Sequence, residues 1–379
     1  MITKIHVKNF KSFSDFAIEG MGNRVYLIGL NGSGKTTFLQ LLEFMSALMR
    51  KSGLDWRIGG EPVTHKDLLN AGSARKTIDI DATVRLDEHE YRWTIAYNAQ
   101  EGTVTEEKIA VDGTPALHYR GKYLKAGGIS GNQQLSLPGS ALCYYTSNAG
   151  LNRFRQHIIG IQGIGVLNPM SIAAPVRDVA KKAGIEPDGR NLPVVLDRLS
   201  KEQKDEFRNT VLAFYGESRG IQGFQPKSRQ FGWRRLFFTE LDKAIDAVHL
   251  SYGTLRYMVI AALRYSSAPI LFIDEIENGV SQEGMRDLAA LLDRFGDRQL
   301  FVTTHSVLFL NYLDDGQARD GIYLLQRTPE NGPTLARRFF RDIPGKDIAL
   351  QHLNPGEAVS ITNLREVPLP STPLTSERP

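Results

Sequence analysis

Two hydrophobic periods alternate along the chain. Residues 25–28 form a compact apolar run that ends at a glycine. The apolar residues that follow recur at helical spacing, which predicts one buried stripe: Phe38, Leu41, Leu42, Met45, Leu48 and Met49. From residue 78 the period changes to two, and this alternation returns over residues 91–97 after a turn. We therefore predict a strand and a helix, then an antiparallel sheet with one solvated face, distinct from a buried parallel sheet elsewhere.

The middle of the chain, residues 151–215, is predicted to be mainly helical. A Pro-Asp-Gly turn at residues 187–189 interrupts the pattern. Ser200 and Gln203 have the spacing of a capping box, which predicts the start of the last of these helices.

An α/β pattern then returns. Residues 270–273 form a continuous apolar strand, a helix covers residues 282–295, and residues 300–302 form the next strand. Continuous apolar strands are typical of a parallel sheet that is covered on both faces. The C-terminal tail is predicted to be disordered because prolines stand there among serines and threonines: Pro368, Pro370, Pro373 and Pro379.

Composition narrows the class of protein. The chain has 379 residues, is 41% hydrophobic and 23% charged, and has a net charge of +4, which neither requires nor excludes a nucleic-acid partner. Its one cysteine, Cys143, excludes a disulfide framework and a cysteine-based zinc site. No apolar run approaches the roughly 20 residues of a membrane span, and residues 1–6 lack a signal-peptide core. We expect a soluble, cytoplasmic protein without a membrane partner.

Residues 29–36, the phosphate loop, match the pattern G-x-x-x-x-G-K-[ST] in full. The loop follows an apolar strand and opens an amphipathic helix, which is the setting that the motif requires. Its glycines let backbone N–H groups turn inward around an anion, at the positive end of the helix. Lys35 would reach the β- and γ-phosphates, and the Thr36 hydroxyl would be a ligand for Mg²⁺. The predicted nucleotide-binding residues are Asn31, Gly32, Ser33, Gly34, Lys35, Thr36 and Thr37.

Asp274 and Glu275 follow the apolar strand of residues 270–273. Asp274 would complete the protein's contacts to Mg²⁺, beside Thr36. Glu275 would polarise the water that attacks the γ-phosphate. Acidic residues often end strands of α/β proteins for solvation alone, so this prediction depends on the phosphate loop upstream.

Three further segments stand in order around these motifs. Residues 7–13 read Val-Lys-Asn-Phe-Lys-Ser-Phe, just before the phosphate loop. Residues 250–256, the signature segment, read Leu-Ser-Tyr-Gly-Thr-Leu-Arg. Residues 303–306, the switch segment, read Thr-Thr-His-Ser. With the phosphate loop and Asp274, they resemble the ABC-type ATPases, and within these the branch of RecF, SMC and OLD-like ATPase heads, over roughly residues 1–330.

The resemblance implies a fold and a domain organisation. The fold is α/β, a P-loop NTPase of ABC type, whose mixed or parallel core sheet carries an antiparallel β subdomain and a helical lid. The implied boundaries are residues 1–75 for the first half of the ATPase core, 76–147 for the antiparallel subdomain, 148–225 for the lid, 226–345 for the second half of the core, and 346–379 for a C-terminal extension and disordered tail.

The resemblance also implies a mechanism that needs two copies of the chain. In the family, ATP with Mg²⁺ lies between the phosphate loop of one subunit and the signature motif of the other, in a head-to-tail dimer. Ser251 and Gly253 would thus bond the γ-phosphate of ATP held by the partner. A helix cap is the alternative role for Ser251. His305 would contact the γ-phosphate or its water.

Some segments depart from the family pattern. Tyr252 and Thr254 stand where transporter ATPases carry glycine and glutamine, and residues 276–279 (Ile-Glu-Asn-Gly) resemble the stand-alone ATPases and not the transporters. The glutamine that completes the metal shell in the family has no clear counterpart. Residues 145–148 stand at about its position, and Asn148 or the more distal Gln156 are candidates.

Other regions bear on the partners. The chain lacks the coiled-coil arms of SMC proteins and the TOPRIM nuclease domain of OLD proteins, so we expect an ATPase head with a separately encoded effector such as a nuclease. Residues 227–238 are the main basic and aromatic cluster, and residues 152–155 are a weaker one. Either could bind nucleic acid; for residues 227–238 a strand pair with aromatics facing the core is the favoured interpretation.

Three roles remain open. The leading hypothesis is a slow ATPase, in a homodimer or higher oligomer, that drives or gates a DNA-transacting or anti-phage defence complex. The alternatives are an ATP-gated DNA-repair clamp of RecF type and the ATPase subunit of a transporter; residues 276–279 argue against the last.

Overall fold

The structure is a computed structural model. It describes residues 1–50, 57–58, 61–62, 64–126, 129–132, 136–144, 148–165, 167–178, 184–215, 221–228, 232–328 and 332–369. Within these residues, no helix has the length and apolar character needed to cross a bilayer.

The strands, in chain order, are β1 (Ile2–Phe10), β2 (Phe13–Glu19), β3 (Arg24–Ile28), β4 (Arg57–Ile58), β5 (Glu61–Pro62), β6 (Thr77–Leu86), β7 (His89–Asn98), β8 (Thr103–Val111), β9 (Thr114–Arg120), β10 (Tyr123–Ala126), β11 (Ile129–Asn132), β12 (Ile161–Ile164), β13 (Val176–Arg177), β14 (Ile221–Ser228), β15 (Trp233–Glu240), β16 (Lys243–Asp246), β17 (Ile270–Ile273), β18 (Gln299–Thr303), β19 (Ile322–Arg327) and β20 (Thr334–Arg338).

The α-helices, in chain order, are α1 (Lys35–Leu48), α2 (Ala149–Ile159), α3 (Pro169–Ala173), α4 (Leu192–Arg198), α5 (Lys201–Tyr215), α6 (Tyr252–Leu263), α7 (Gly284–Asp293), α8 (Val307–Leu310), α9 (Asp315–Gly321), α10 (Lys346–Ala349) and α11 (Pro355–Ser360).

One 14-stranded mixed sheet organises the described chain, in the order β11-β10-β9-β8-β7-β6-β1-β2-β20-β19-β3-β18-β17-β12. Strands β19, β3, β18, β17 and β12 are parallel neighbours, and β6 to β11 form an antiparallel meander. The predicted mixed core sheet with an antiparallel β part is therefore confirmed.

The parallel strands are buried on both faces, which explains their continuous apolar runs. On β17, Ile270 and Phe272 pack into one hydrophobic core, and Leu271 and Ile273 pack into a second core on the other face. The first core also holds α1 and the apolar face of the antiparallel strands, whereas the second holds α6 and α7. A strand whose successive side chains enter two different cores needs an apolar residue at every position.

The antiparallel strands are not a distinct sheet, contrary to the prediction from the sequence. β1 pairs with β2 along one edge and with β6 along the other, so it joins the two regions. The sequence pattern shows which face of each strand is buried, but it carries no information about which edges pair. The predicted solvated face is present, because Asp79 and Asp81 alternate with the buried Ile78 and Ile80.

The region predicted as mainly helical also contains strands. α2 to α5 lie within residues 151–215 or begin just before them, but β12 belongs to the main sheet and β13 to a smaller, 4-stranded sheet with β14, β15 and β16. Both strands are too short to show a period in the sequence. The capping box is present, since Ser200 N–H donates to Gln203 (3.0 Å) and Gln203 N–H donates to Ser200 Oγ (3.3 Å).

The second α/β region follows the prediction closely, and its helix α7 is shorter than the predicted 282–295. The C-terminal residues up to 369 pack onto this region, and a Cβ on Gly356 of α11 would overlap the carbonyl oxygen of Val307 on α8. Of the tail that was predicted to be disordered, residues 370–379 lie outside the described residues.

Candidate functional site

The predicted site residues follow three neighbouring parallel strands. The phosphate loop follows β3, Asp274 and Glu275 follow β17, and the switch segment begins at the last residue of β18. The sheet order β3-β18-β17 places these three strands side by side. Carboxyl ends of adjacent parallel strands meet at one edge of a sheet, where α/β proteins bind ligands. The fold therefore brings together segments that are far apart in the sequence.

The phosphate loop has the backbone conformation of an anion cradle. Gly29, Gly32 and Gly34 have φ of 149°, 76° and 100°. Residues that carry a side chain rarely adopt such positive values of φ. A Cβ on Gly34 would lie 2.5 Å from the ring of Phe13, so the opening turn of the chain packs directly under the loop. Ser12 Oγ donates to Thr37 Oγ1 at 2.8 Å, which fixes the same turn to the start of α1.

Lys35 lies inside this loop. Its Nζ donates to the carbonyl oxygens of Gly29 (2.9 Å) and Leu30 (3.1 Å), and its side chain is largely buried. Burial lowers the pKa of the Lys35 ammonium, while the negative charges of Asp274, Glu275 and Glu277 act in the opposite direction. A cation held by backbone carbonyls at a loop rich in N–H groups is suited to meet an anionic ligand.

Asp274 is the centre of a hydrogen-bond network that joins the three loops. Thr36 Oγ1 donates to its Oδ2 at 3.0 Å, and Thr303 Oγ1 donates to its Oδ1 at 2.6 Å. Thr303 Oγ1 in turn accepts the backbone N–H of Glu275 at 2.7 Å. Asp274 is only 5% exposed. These hydrogen bonds therefore replace the ones to water that its carboxylate loses on burial.

The donor set fits a nucleotide with Mg²⁺. Ser33 Oγ is buried at the loop without a hydrogen-bond partner among the described residues. Thr36 and Asp274 offer a hydroxyl and a carboxylate oxygen side by side, which are the ligand types that Mg²⁺ prefers. No group of three or more His, Cys, Asp or Glu able to hold a metal occurs in the described part of the chain. A protein that supplies few ligands suits a Mg²⁺ ion that is shared with phosphate oxygens and water.

Glu275 stands at the open side of the network. Its side chain is exposed, and its backbone has a φ of 46°, which is uncommon for a residue with a side chain. Asn278 Nδ2 donates to its Oε2 at 3.3 Å. The carboxylate is thus directed away from the buried network and is accessible to a water molecule.

His305 is exposed at the end of the switch segment. Burial of part of the ring and the nearby Lys35 lower the pKa of His305, whereas Glu277, Glu275 and Asp274 raise it. The influence of Lys35 means that the ring and the phosphate loop share one electrostatic environment. The imidazole is neutral at neutral pH and can accept or donate a hydrogen bond.

The signature segment begins α6. Ser251 is its N-cap, and its Oγ accepts the N–H of Thr254 at 3.3 Å, so the helix-cap role holds within the subunit. A Cβ on Gly253 would overlap the carbonyl oxygen of Gly279, and one on Gly279 would overlap the Tyr252 ring. The signature segment therefore packs so tightly against the loop that follows Glu275 that neither glycine leaves room for a side chain.

Two residues were missed by the sequence analysis. Arg256 on α6 is fully buried, and its Nη2 donates to the carbonyl oxygens of Asp274 and Glu275, the latter at 2.7 Å. Glu277 accepts hydrogen bonds from the switch segment. Both lie within segments that the analysis had singled out, but their contacts depend on how distant loops meet.

The candidates for the missing glutamine are not brought to the site by any described contact. Asn148 Oδ1 accepts the N–H of Leu151 at 2.9 Å and caps α2, and Gln156 is exposed on that helix. Residues 145–147 lie outside the described residues. The position of this ligand stays a prediction.

The basic and aromatic cluster lies on β14 and β15. Leu236 and Phe238 are buried, and Arg234 and Arg235 pair with Asp197 and Asp246, both at 2.7 Å. Residues 229–231 of this cluster lie outside the described residues. In the second cluster, Arg153 pairs with Asp87 at 2.9 Å, and Arg155 Nε donates to the Met49 carbonyl oxygen. The predicted strand pair is present in β14 and β15, but Trp233 is exposed and the paired side chains of Arg234 and Arg235 are mostly buried, so the predicted division into core-facing aromatics and water-facing arginines holds only in part.

Comparison with known proteins agrees with this geometry. A family model described as "AAA ATPase domain" matches residues 1–112, and one described as "AAA domain, putative AbiEii toxin, Type IV TA system" matches residues 176–311. Comparison with curated proteins finds no match.

Solved structures of SMC heads share the fold. A crystal structure of the SMC head bound to the C-terminal winged-helix domain of ScpA aligns with a TM-score of 0.53 and 14% identity, over 89% of this chain and 97% of that one. The Pyrococcus furiosus SMC head domain with an extended coiled coil, bound to the C-terminal domain of ScpA, aligns with a TM-score of 0.52 and 13% identity, over 92% and 98%. At these identities the likeness shows a shared fold, that of the SMC heads, beside the matches to two ATPase family models.

The SMC-like fold accounts for the order of the segments along the chain. The phosphate loop lies in the N-terminal match, and the signature segment, Asp274 and the switch histidine lie in the second match. The two matches are separated by the end of the antiparallel meander and by α2, β12 and α3.

Proposed function

We propose that this ATPase head binds and hydrolyses ATP at the site formed by the phosphate loop, Asp274, Glu275 and the switch segment. The observation that carries this proposal is the network in which Asp274 joins Thr36 of the phosphate loop to Thr303 of the switch segment. This arrangement brings three loops to one place, and a triphosphate with its metal has the length and charge to meet all of them.

The residues divide the work by their chemistry. The phosphate-loop residues 31–37 hold the phosphates through N–H groups and the Lys35 cation. Thr36 and Asp274 hold Mg²⁺, which neutralises phosphate charge when it is bound. Glu275 accepts a proton from the attacking water, and His305 donates a hydrogen bond near the γ-phosphate.

The proposal includes a head-to-tail homodimer around two ATP–Mg²⁺. Ser251 is exposed at the N-terminus of the 12-residue helix α6, where a hydroxyl and the positive end of the helix suit a phosphate of another subunit. Gly253 lies at the same end of α6, where its lack of a side chain gives room within the subunit to the carbonyl oxygen of Gly279. In this arrangement Ser251 and Gly253 bond the γ-phosphate held by the partner's phosphate loop.

The biological role that we favour is the ATPase of a DNA-transacting or anti-phage defence complex in the cytoplasm, with a separately encoded effector such as a nuclease. The description of one matching family model names a toxin of a toxin–antitoxin system, which supports a defence role. The similar SMC heads were crystallised with a domain of another protein, ScpA, which supports a separate partner. An ATP-gated DNA-repair clamp of RecF type is the second candidate.

The test of this function uses two inactive variants. Lys35→Ala removes charge-assisted phosphate contacts of about 1.5–3 kcal/mol each, so ATP binding should weaken by about 10- to 100-fold. Ser251→Arg should leave ATP binding intact but block closure, because a bulky cation replaces a hydroxyl where two surfaces meet. Mixed together, the two variants should recover part of the hydrolysis, since one of the two sites in a mixed dimer is intact.

Light scattering should accompany the hydrolysis assay, because a dimer with one working site could close without rapid turnover. Mixed dimers are verified by mass. If verified mixed dimers show neither ATP-dependent closure nor hydrolysis, the shared-site model is wrong and a monomeric phosphate-loop enzyme is favoured. Unchanged ATP affinity of Lys35→Ala by calorimetry would remove the phosphate-loop assignment itself.

A further inference from the structure

A third carboxylate of the loop after β17, Glu277, contacts the switch segment directly. Its Oε2 accepts the hydroxyl proton of Thr304 at 2.8 Å, and its Oε1 accepts the backbone N–H of His305 at 2.6 Å. The side chain is half-buried between the two loops. Hydrogen bonds to an ionised acceptor are stronger than neutral ones, so this pair holds the switch segment firmly.

The other bonds between these two loops end one residue earlier. The N–H of Ile276 donates to the Thr303 carbonyl oxygen at 3.1 Å, and Glu275 N–H donates to Thr303 Oγ1. Beyond Thr303, the N–H of Thr304 donates to the Leu27 carbonyl oxygen of β3 at 3.2 Å, and Ser306 Oγ caps α8, so the N–H of His305 lies between these two attachments. Glu277 therefore bonds the backbone N–H of the residue that carries the imidazole.

The loop that carries Glu277 has a defined shape of its own. Glu275 and Gly279 both have positive φ, at 46° and 73°. The N–H of Asn278 donates to the Glu275 carbonyl oxygen (2.9 Å), and the N–H of Val280 donates to that of Glu277 (3.0 Å). Ile276 is fully buried beneath the loop. The Glu277 side chain is thus presented by a rigid turn, which is a condition for orienting another residue.

We infer that Glu277 is a positioning residue for His305: it orders the switch backbone so that the imidazole is held beside the phosphate loop. This inference rests on the proposed function, in which His305 acts on the γ-phosphate. A carboxylate accepts from two donors at once, which matches Thr304 and His305. A glutamine at position 277 would retain both contacts. Its side-chain oxygen would accept the N–H of His305, and its NH₂ group would donate to the Thr304 hydroxyl.

The inference is tested by steady-state hydrolysis with three substitutions. Glu277→Ala should lower kcat by about 10- to 100-fold, since an error of about 1 Å in a catalytic group has an effect of this size. Its KM for ATP should stay within about twofold of wild type, because ground-state phosphate contacts are unchanged. Glu277→Gln should remain within about threefold of wild type in kcat. Glu283→Ala, at an exposed glutamate six residues further along the chain, is the matched control and should change nothing.

A double-mutant cycle identifies His305 as the residue through which Glu277 acts. If Glu277 only orders His305, the kcat of Glu277→Ala/His305→Ala should equal that of His305→Ala. Equal kcat for Glu277→Ala and wild type, or fully multiplicative losses in the double variant, would overturn the inference. If Glu277→Ala does not fold, Thr304→Val, which deletes one of the two contacts, takes its place. It should lower kcat at constant KM, and an unchanged kcat would overturn the inference.

These outcomes separate the inference from the function on which it rests. A wild-type protein without ATPase activity would remove the proposed function. A normal kcat for His305→Ala would remove both the role of the histidine and the inference. A reduced kcat for His305→Ala together with a normal kcat for Glu277→Ala would remove the inference and leave the function standing.

Discussion

The two ends of the main sheet each bury a carboxylate, and they use it differently. At the parallel end, Asp274 is bonded by hydroxyls of two other loops, Thr36 and Thr303, at the edge where the strands stop. In the antiparallel part, Glu107 lies in the middle of β8 and accepts hydrogen bonds from Trp93 Nε1 (2.7 Å), Ser140 Oγ (2.6 Å) and Ala141 N (2.6 Å). Burial alone therefore does not distinguish a chemical site from a structural one.

What distinguishes them is access to a ligand. Asp274 adjoins an exposed glutamate, an exposed histidine and a glycine-rich loop, so another molecule can reach its surroundings. Glu107 is fully buried, and its donors attach the segment before α2 to the antiparallel strands. That segment also donates from Ser140 N–H to the carbonyl oxygen of Leu48 on α1, at 2.7 Å. Glu107 thus has a structural role outside the candidate site.

The largest effect on ATP hydrolysis is expected at Glu275, the exposed neighbour of Asp274. Glu275→Gln keeps the shape of the side chain and removes its basicity, so ATP hydrolysis should fall by about 10²–10⁴-fold. ATP binding should survive, because the phosphate loop is untouched, and the dimer should accumulate in its closed form. Hydrolysis at the wild-type rate, measured by phosphate release, would assign the role of base to another residue.

Most residues around Asp274 were singled out from the sequence, and the fold brings them together. The phosphate loop, Asp274, Glu275 and the switch segment each lie in a local pattern beside an apolar strand, and strand order alone brings them together. Glu277 and Arg256 were missed because their partners lie 28 and 18–19 residues away, in other loops. Contacts of this kind depend on the meeting of segments, which periodicity does not encode.

Glu107 could not be found for a different physical reason. A period-two pattern would place Val104 and Glu106 on one face of β8 and Glu107 on the other. The register of β8 against β7 shifts between Ala96 and Tyr97, so Thr105 is passed over in the pairing. Such an irregularity moves the following residues to the opposite face. Glu107 consequently joins the buried face with Val104, and Glu106 faces solvent.

Glu106 and Glu107 of β8 therefore offer a matched pair of substitutions, one on each face of the strand. Glu107→Ala leaves the three donors from Trp93, Ser140 and Ala141 without their acceptor in the protein interior. We expect a loss of about 3 kcal/mol or more in the free energy of unfolding, seen as a thermal midpoint lower by roughly 5 °C or more. The catalytic residues should be unaffected, so kcat at low temperature should stay near wild type. A midpoint within 1 °C of wild type would contradict this role.

The pH dependence of this stability has a defined sign. Burial raises the pKa of Glu107, against the effect of its hydrogen bonds to Ser140, Ala141 and Trp93. Between the ordinary glutamate pKa near 4.5 and the raised pKa, the folded state therefore retains a proton on Glu107 that the unfolded state has lost. The contribution of Glu107 is therefore greatest at low pH and declines as pH rises through its raised pKa. Glu107→Ala should lack this decline.

The smallest effect is expected one residue away. Glu106 is about one-third exposed and pairs with Lys108 at 2.8 Å and His118 at 3.3 Å, so Glu106→Ala should change the thermal midpoint by less than about 2 °C. The hydrogen bond from Lys108, followed by that from His118, lowers the pKa of Glu106, so the sign is opposite to that of Glu107. Its small contribution is present above the ordinary glutamate pKa and is lost as pH falls through the lowered value. High salt should reduce it further, because exposed ion pairs are screened. If Glu106→Ala destabilised the protein as much as Glu107→Ala in thermal unfolding, the assignment of the two glutamates to opposite faces would be wrong.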